Sequence, residues 1–154
     1  MKTPIVKQTT KGDIPALQTV LDQTQLFPSE MLPEMLQPAL DHKAEAIWLT
    51  CHLDGAAVGL CYSVPEELAQ GTWNMLALAV RPDLQGQKLG TALVEAAEQR
   101  LKAKGQRLLI VDTSGTEDFA LTRRFYARNG YEEEARIRDF WAAGDDKVIF
   151  RKAL

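Results

Sequence analysis

Val80-Arg81-Pro82-Asp83-Leu84-Gln85-Gly86-Gln87-Lys88-Leu89-Gly90-Thr91-Ala92-Leu93 is the stretch on which the reading of this chain turns. An apolar strand stops at Val80, a glycine-containing loop turns, and a helix starts at once. The first N–H groups of such a helix have no intrahelical acceptor and point to one spot, with the positive end of the helix dipole behind them. That arrangement suits a pyrophosphate. Gly86 and Gly90 carry no Cβ and let a bulky anion approach the backbone. Taken alone, the glycines read as a turn and a helix-packing contact before they read as a phosphate site. The spacing matches neither the Walker loop nor the GxGxxG dinucleotide fingerprint.

Working outward, Ile5–Gln8 reads as a short first strand. Asp13 is placed to cap a helix from Ile14 to about Gln23, with Ile14, Leu17, Val20 and Leu21 on one face. Ser29 can cap a second helical stretch, which Pro33 and Pro38 break or bend. Ala46–Cys51 and Ala57–Ser63 flank Asp54-Gly55, a strong hairpin signal, and Trp73–Val80 completes a meander. A long amphipathic helix from Lys88 to Ala103 follows, with Leu89, Leu93, Ala96, Ala97, Arg100 and Leu101 as its inner stripe. Leu108–Val111 has the apolar character of a buried parallel strand. A short helix from Phe119 to Arg128 and two strands, Glu132–Phe140 and Lys147–Lys152, close the chain. The sum is a mixed α/β sheet flanked by helices, with a strand-helix-strand unit at its middle. No linker or repeat divides residues 1–154, which read as a single domain.

The 154 residues are 45% apolar and 25% charged, an ordinary globular balance. A net charge of −3 gives no basic excess for a nucleic-acid partner. The longest apolar run, Met75–Val80, is far below the ~20 residues that span a bilayer, and Met1–Lys7 holds no apolar segment of signal-peptide length. Cys51 and Cys61 make no disulfide framework and fit a reducing, cytoplasmic setting. No metal-ligand spacing stands out.

Two blocks give the pattern a family. Gln85-x-x-Lys88-x-Gly90, preceded by Leu78-Ala79-Val80-Arg81-Pro82, resembles motif A of the GCN5-related N-acetyltransferase (GNAT) superfamily, Gln/Arg-x-x-Gly-x-Gly/Ala. Phe125-Tyr126-x-x-x-Gly130-Tyr131 resembles its second hallmark, Phe/Leu-Tyr-x-x-x-Gly-Phe/Tyr. The resemblance covers about residues 72–131 and departs at Lys88, where the signature has glycine. A lysine there either adds a contact to phosphate or points to solvent.

The resemblance implies acetyl-CoA as co-substrate and no metal. It places acetyl-CoA in a V-shaped opening between the Leu78–Val80 and Leu108–Val111 strands. The implied binding residues are Leu78, Ala79 and Val80 on the strand and Gln85, Gly86, Gln87, Lys88, Leu89, Gly90 and Thr91 on the loop and first helical turn. The N–H of Ala79 or Val80 becomes the oxyanion donor, because backbone dipoles are fixed before reaction. Tyr126 becomes the general acid for the departing thiolate, a phenol with a pKa of about 10 being protonated at neutral pH. Arg123, Arg124 and Arg128 make its helix basic, and one of them can reach a CoA phosphate.

The base is not assigned. Many relatives place a glutamate on the strand before motif A, where this chain has Asn74 and Leu76. Glu34, Glu66 and Glu67 lie in segments that reach the acceptor side but read as surface charges. On that side the candidates are Asn74, which with backbone carbonyls can hold an ordered water as a route for the proton, Asp145 and Asp146, which can attract an ammonium, and Phe140 or Trp141, which offer a ring face. Gly144-Asp145-Asp146 is equally turn chemistry. Cys51 and His52 alternate across a strand and cannot form a local nucleophilic pair. The expected activity is direct acetyl transfer to a primary amine of a small molecule, amino acid or peptide terminus. The alternative is an acyl-CoA-binding module with little turnover. Relatives are often homodimers, and no sequence feature decides that here.

Overall fold

The computed structural model describes residues 2–154. Strand β1 (Ile5–Gln8) leads through a 3-10 turn into helix α1 (Ile14–Thr24), and a second such turn leads into α2 (Leu32–Leu40). Strands β2 (Ile47–Leu53), β3 (Ala56–Pro65) and β4 (Thr72–Val80) form the meander. Helix α3 (Leu89–Ala103), strand β5 (Leu108–Ser114), helix α4 (Ala120–Arg128) and strands β6 (Glu132–Ala142) and β7 (Asp145–Ala153) follow. The seven strands make one sheet in the order β1-β2-β3-β4-β5-β7-β6, and β4–β5 is its parallel pair.

Asp54-Gly55 is a two-residue turn with both residues at positive φ, as a tight hairpin between right-twisted strands requires. Leu17, Val20, Leu21, Leu32 and Leu36 from α1 and α2 pack with Trp48, Leu60, Ala77 and Ala79 on one face of the sheet. On the opposite face Leu89, Leu93, Val94, Ala97 and Leu101 of α3 pack with Val58, Met75, Val111, Tyr126 and Phe150. Both faces of β4 are therefore covered, which is why its sequence runs apolar without alternating.

Four expectations are corrected. Asp13 does not cap α1 with its side chain; its carboxylate instead accepts from the Thr10 N–H at 2.9 Å and pairs with His52 Nε2 at 3.0 Å. Arg100 faces solvent while Val94 takes the inner stripe, because the apolar arc of α3 is narrow. Pro33 sits in the first turn of α2, where its missing N–H is harmless, and Pro38 lies within the helix near its end. The last hairpin turns on Ala143-Gly144, so Asp145 and Asp146 belong to β7.

Strand β4 carries the feature that opens the sheet. Tyr62 pairs with Ala77 and Ser63 with Met75, so Leu76 is an extra residue, a β-bulge. Pairing of β4 with β5 runs from Thr72↔Leu108 to Met75↔Val111 and stops there. Beyond the bulge the two parallel strands diverge. Close packing fixes the other side of β4: a Cβ built on Gly59 of β3 would lie 2.9 Å from the Ala79 carbonyl and 3.2 Å from Leu93 Cδ1. Gly59→Ala is expected to destabilise the fold by about 1–3 kcal/mol, the usual range for overpacking, measured by urea unfolding.

Candidate active site

Alternation along an antiparallel pair decides which backbone groups the divergence frees. The Arg81 N–H donates to the Val58 carbonyl at 2.8 Å. Counting back in register, Ala79 and Ala77 also turn their N–H and C=O groups to β3, while Val80 and Leu78 turn theirs away, toward the gap. The Val80 carbonyl accepts from Gln85 Nε2 at 3.4 Å, consistent with that direction. Ala79 is thus corrected: its N–H is held by β3 and its side chain packs under α1 and α2, so it is neither an oxyanion donor nor a wall of the gap. The free amides are those of Leu78 and Val80.

The gap opens into a cleft of about 1050 Å³ lined by Leu78, Val80, Gln85, Gly86, Lys88, Leu89, Gly90 and Thr91 from the β4–α3 segment. Its far wall is Thr122, Phe125, Tyr126 and Arg128 of α4 with Asn129, Gly130 and Lys152. Gln87 does not line it. Lys88 caps α3 without a side-chain hydrogen bond, and the first intrahelical contact of that turn is Ala92 N–H to the Lys88 carbonyl at 3.1 Å. The amides of Gly86 to Thr91 have no backbone acceptor, and the first turn holds no acidic residue to compete for an anion.

The two glycines of the loop have separate reasons. Gly86 has φ +84° and open space where a Cβ would stand. At Gly90 a Cβ would sit 3.2 Å from the Phe125 ring, so this glycine seats α4 against α3. Lys88 has φ 65° and ψ 19°, a left-handed conformation that costs a non-glycine residue about 1–2 kcal/mol. The glycine at this place in the motif A signature thus answers first to backbone conformation.

Tyr126 lines the cleft, its ring against Phe125, Tyr131 and Phe150. Burial pushes its phenol above the usual tyrosine range. Tyr131 is committed elsewhere: its hydroxyl donates to Glu98 Oε2 at 2.7 Å, and Lys152 Nζ donates to Glu98 Oε1 at 2.9 Å. Among the described residues no side chain engages the Tyr126 hydroxyl in that way. Arg123 donates to the Ser114 and Thr116 carbonyls at 2.8 and 2.7 Å, which ties α4 to the end of β5 and removes it as a phosphate ligand. Arg128 lines the cleft.

Asp145 and Asp146 are taken up within the hairpin region. Asp145 Oδ1 accepts from Ser114 Oγ at 2.5 Å. Asp146 accepts from the Asp139 N–H at 3.0 Å and Arg136 at 3.1 Å, contacts that hold its carboxyl below the ordinary range. Trp141 donates its indole N–H to the Thr113 carbonyl at 3.3 Å. Asn74 is buried and donates Nδ2 to Glu66 Oε1 at 3.0 Å and to Asp112 Oδ2 at 3.4 Å. Glu66 is therefore not a free surface charge. Asp112 is absent from the sequence reading; its one signal was a lone carboxylate immediately after the apolar run Leu108–Val111.

Residues 15–131 match the acetyltransferase (GNAT) family. The chain belongs to that family. It is 30% identical over 114 residues to the mycothiol acetyltransferase of Sanguibacter keddieii, a match covering 71% of this chain and 35% of that protein. The chain thus matches about a third of that relative's length. A GNAT-family crystal structure from Desulfovibrio desulfuricans superposes with a TM-score of 0.89 at 29% identity, covering 98% of this chain and 99% of the other. An aminoglycoside 6'-N-acetyltransferase solved with coenzyme A shares the fold, with a TM-score of 0.79 at 17% identity over 97% and 96% of the two chains.

Burial pushes the Cys61 thiol up to about 12, and Cys51 is raised by burial as well. Both thiols are expected to resist iodoacetamide at pH 8 in the folded protein and to react on unfolding, read by mass spectrometry. Lys88→Gly is expected to raise stability by about 1 kcal/mol, a rise in Tm of about 2–4 °C, measured by calorimetry.

Proposed function

We propose that residues 1–154 act as one acetyl-CoA-dependent N-acetyltransferase domain, moving acetyl to a primary amine of a small molecule, amino acid or peptide terminus within a ternary complex. The observation that carries this reading is the convergence on one cleft of two sets of unpaired backbone donors, Leu78 and Val80 on β4 and Gly86 to Thr91 at the start of α3, with Tyr126 in its wall. A pyrophosphate fits the second set, and an extended amide-bearing arm fits the β4 edge as an added strand would. Acetyl-CoA supplies an acyl group activated as a thioester.

The protein's part divides among few groups. The Gly86–Thr91 amides and the α3 dipole hold negative charge at one end of the cleft. The Leu78 and Val80 amides present N–H donors to a carbonyl oxygen, in place before charge develops on it. Tyr126 keeps a proton on Oη at neutral pH, and burial favours that protonated form. With both thiols buried and protonated, direct transfer is favoured over a cysteine-bound acyl group.

The test is calorimetry with acetyl-CoA together with a thiol-release assay over a panel of amines. Micromolar binding with amine-dependent release is expected; binding without release on any amine identifies an acyl-CoA-binding module instead. Tyr126→Phe is expected to lower kcat by about 100-fold or more while leaving the affinity for CoA within a factor of two. Because its phenol is raised by burial, the wild type should show no loss of kcat from Tyr126 ionisation up to pH 10. An alkaline limb near pH 9 that disappears in Tyr126→Phe would assign the phenol a different proton state.

A further inference from the structure

The face of the sheet away from α3 carries a polar cluster that the cleft does not use. Asn74 of β4 is 7% exposed, and its Nδ2 donates to two carboxylates at once, Glu66 Oε1 and Asp112 Oδ2. The amide orientation is fixed by chemistry, since turning it over would aim its carbonyl oxygen at both anions. Asn74 Oδ1 is therefore left buried with no donor, and so is Asp112 Oδ1. Buried acceptors without donors are uncommon, and each calls for a partner. Two of them lie on groups joined by one hydrogen bond.

The charges around them are countable. Lys147 Nζ of β7 stands 3.3 Å from Asp112 Oδ2 and 4.4 Å over the Phe140 ring. By formal charge, Glu66 and Asp112 bring two negative charges and Lys147 one positive, a net of one negative. The position matters as much as the charge: Asn74 lies two residues before the bulge at Leu76, and Asp112 is the first β5 residue past the last β4–β5 pair. The cluster thus flanks the mouth of the gap. Glu66 also borders a cavity of about 530 Å³ with Leu36, Leu40 and Trp48, whose buried indole N–H has no acceptor. That cavity offers the remainder of a ligand a mixed lining, apolar at Leu36 and Leu40, acidic at Glu45 and Glu67 and basic at Arg100 and Lys104.

We propose that Glu66, Asn74 and Asp112 form the acceptor site, and that they select a primary ammonium. Such a group brings one positive charge to a net single negative charge and N–H donors to the two orphaned oxygens. A neutral hydroxyl acceptor brings at most one donor and no charge, so the site discriminates between the two classes. The carboxylates come from the β3–β4 loop and from β5, and they converge on the β4 position where Asn74 itself has no charge. This rests on the reading of the chain as an amine acetyltransferase and adds to it the residues that receive the amine.

The test uses the full chain, ¹⁵N-labelled, at 150 mM salt, titrated with benzylammonium and separately with benzyl alcohol as the uncharged probe. The reporter is the Asn74 side-chain amide resonance. Benzylammonium is expected to shift it saturably, and benzyl alcohol to leave it unmoved. Asp112→Asn and Glu66→Gln should each weaken benzylammonium by at least tenfold. Equal shifts from both probes, no saturable shift from benzylammonium, or variants that bind it as the wild type does would each overturn the proposal. CoA affinity is measured on the same samples. Loss of CoA binding in the wild type would refute the acetyltransferase reading, while the ammonium titration would still decide the site. The wild-type comparison of the two probes stands even if a variant fails to fold.

Discussion

A backbone N–H or C=O at the edge of a parallel strand pair must find a partner, and the whole site follows from where β4 is denied one. The bulge at Leu76 ends pairing with β5 at Met75↔Val111. From there β4 stays bonded to β3 through every second residue, and the alternate groups at Leu78 and Val80 face the gap. The strand is thereby rigid on one side and open on the other. A flexible loop could expose the same donors, but it would not hold them in place before a ligand arrives. The sheet supplies preorganisation, and the helix beginning at Leu89 extends the row of donors around the corner.

This constraint also explains the division of the two faces. The same bulge sends Leu78 and Val80 toward α3 and α4 while Ala77 and Ala79 pack under α1 and α2. The cleft that suits a long anionic co-substrate lies on the first side. Asn74, with Glu66 and Asp112, lies on the side of α1 and α2. The sheet stands between the two regions, and the divergence of β4 from β5 is the opening through which they meet.

Much of this was legible in the sequence. The Asp54-Gly55 hairpin, the β4–α3–β5 unit and the placement of Tyr126 followed from turn chemistry, periodicity and two motif blocks. What was not legible depends on pairing in space. Ala79 and Val80 are adjacent and similar, and only the register with β3 tells which N–H is spent. Asp145 and Asp146 read as a turn offering charge, yet Ser114, Asp139 and Arg136 engage them across strands. Asp112 could not be chosen from its neighbours in sequence, because its meaning comes from Asn74, 38 residues away. Lys88 was legible as a departure from the signature, but its left-handed backbone was not.

The contact between Gly90 and Phe125 links the two ends of the cleft mechanically. Phe125 lies against the opening turn of α3, and the next residue on its helix is Tyr126. Arg123 pins that helix to the tail of β5 from below. The opening turn of α3 and the Tyr126 ring thus belong to one braced assembly rather than to two parts that must find each other. A larger residue at position 90 would act as a wedge, displacing the phenol from a distance without touching it.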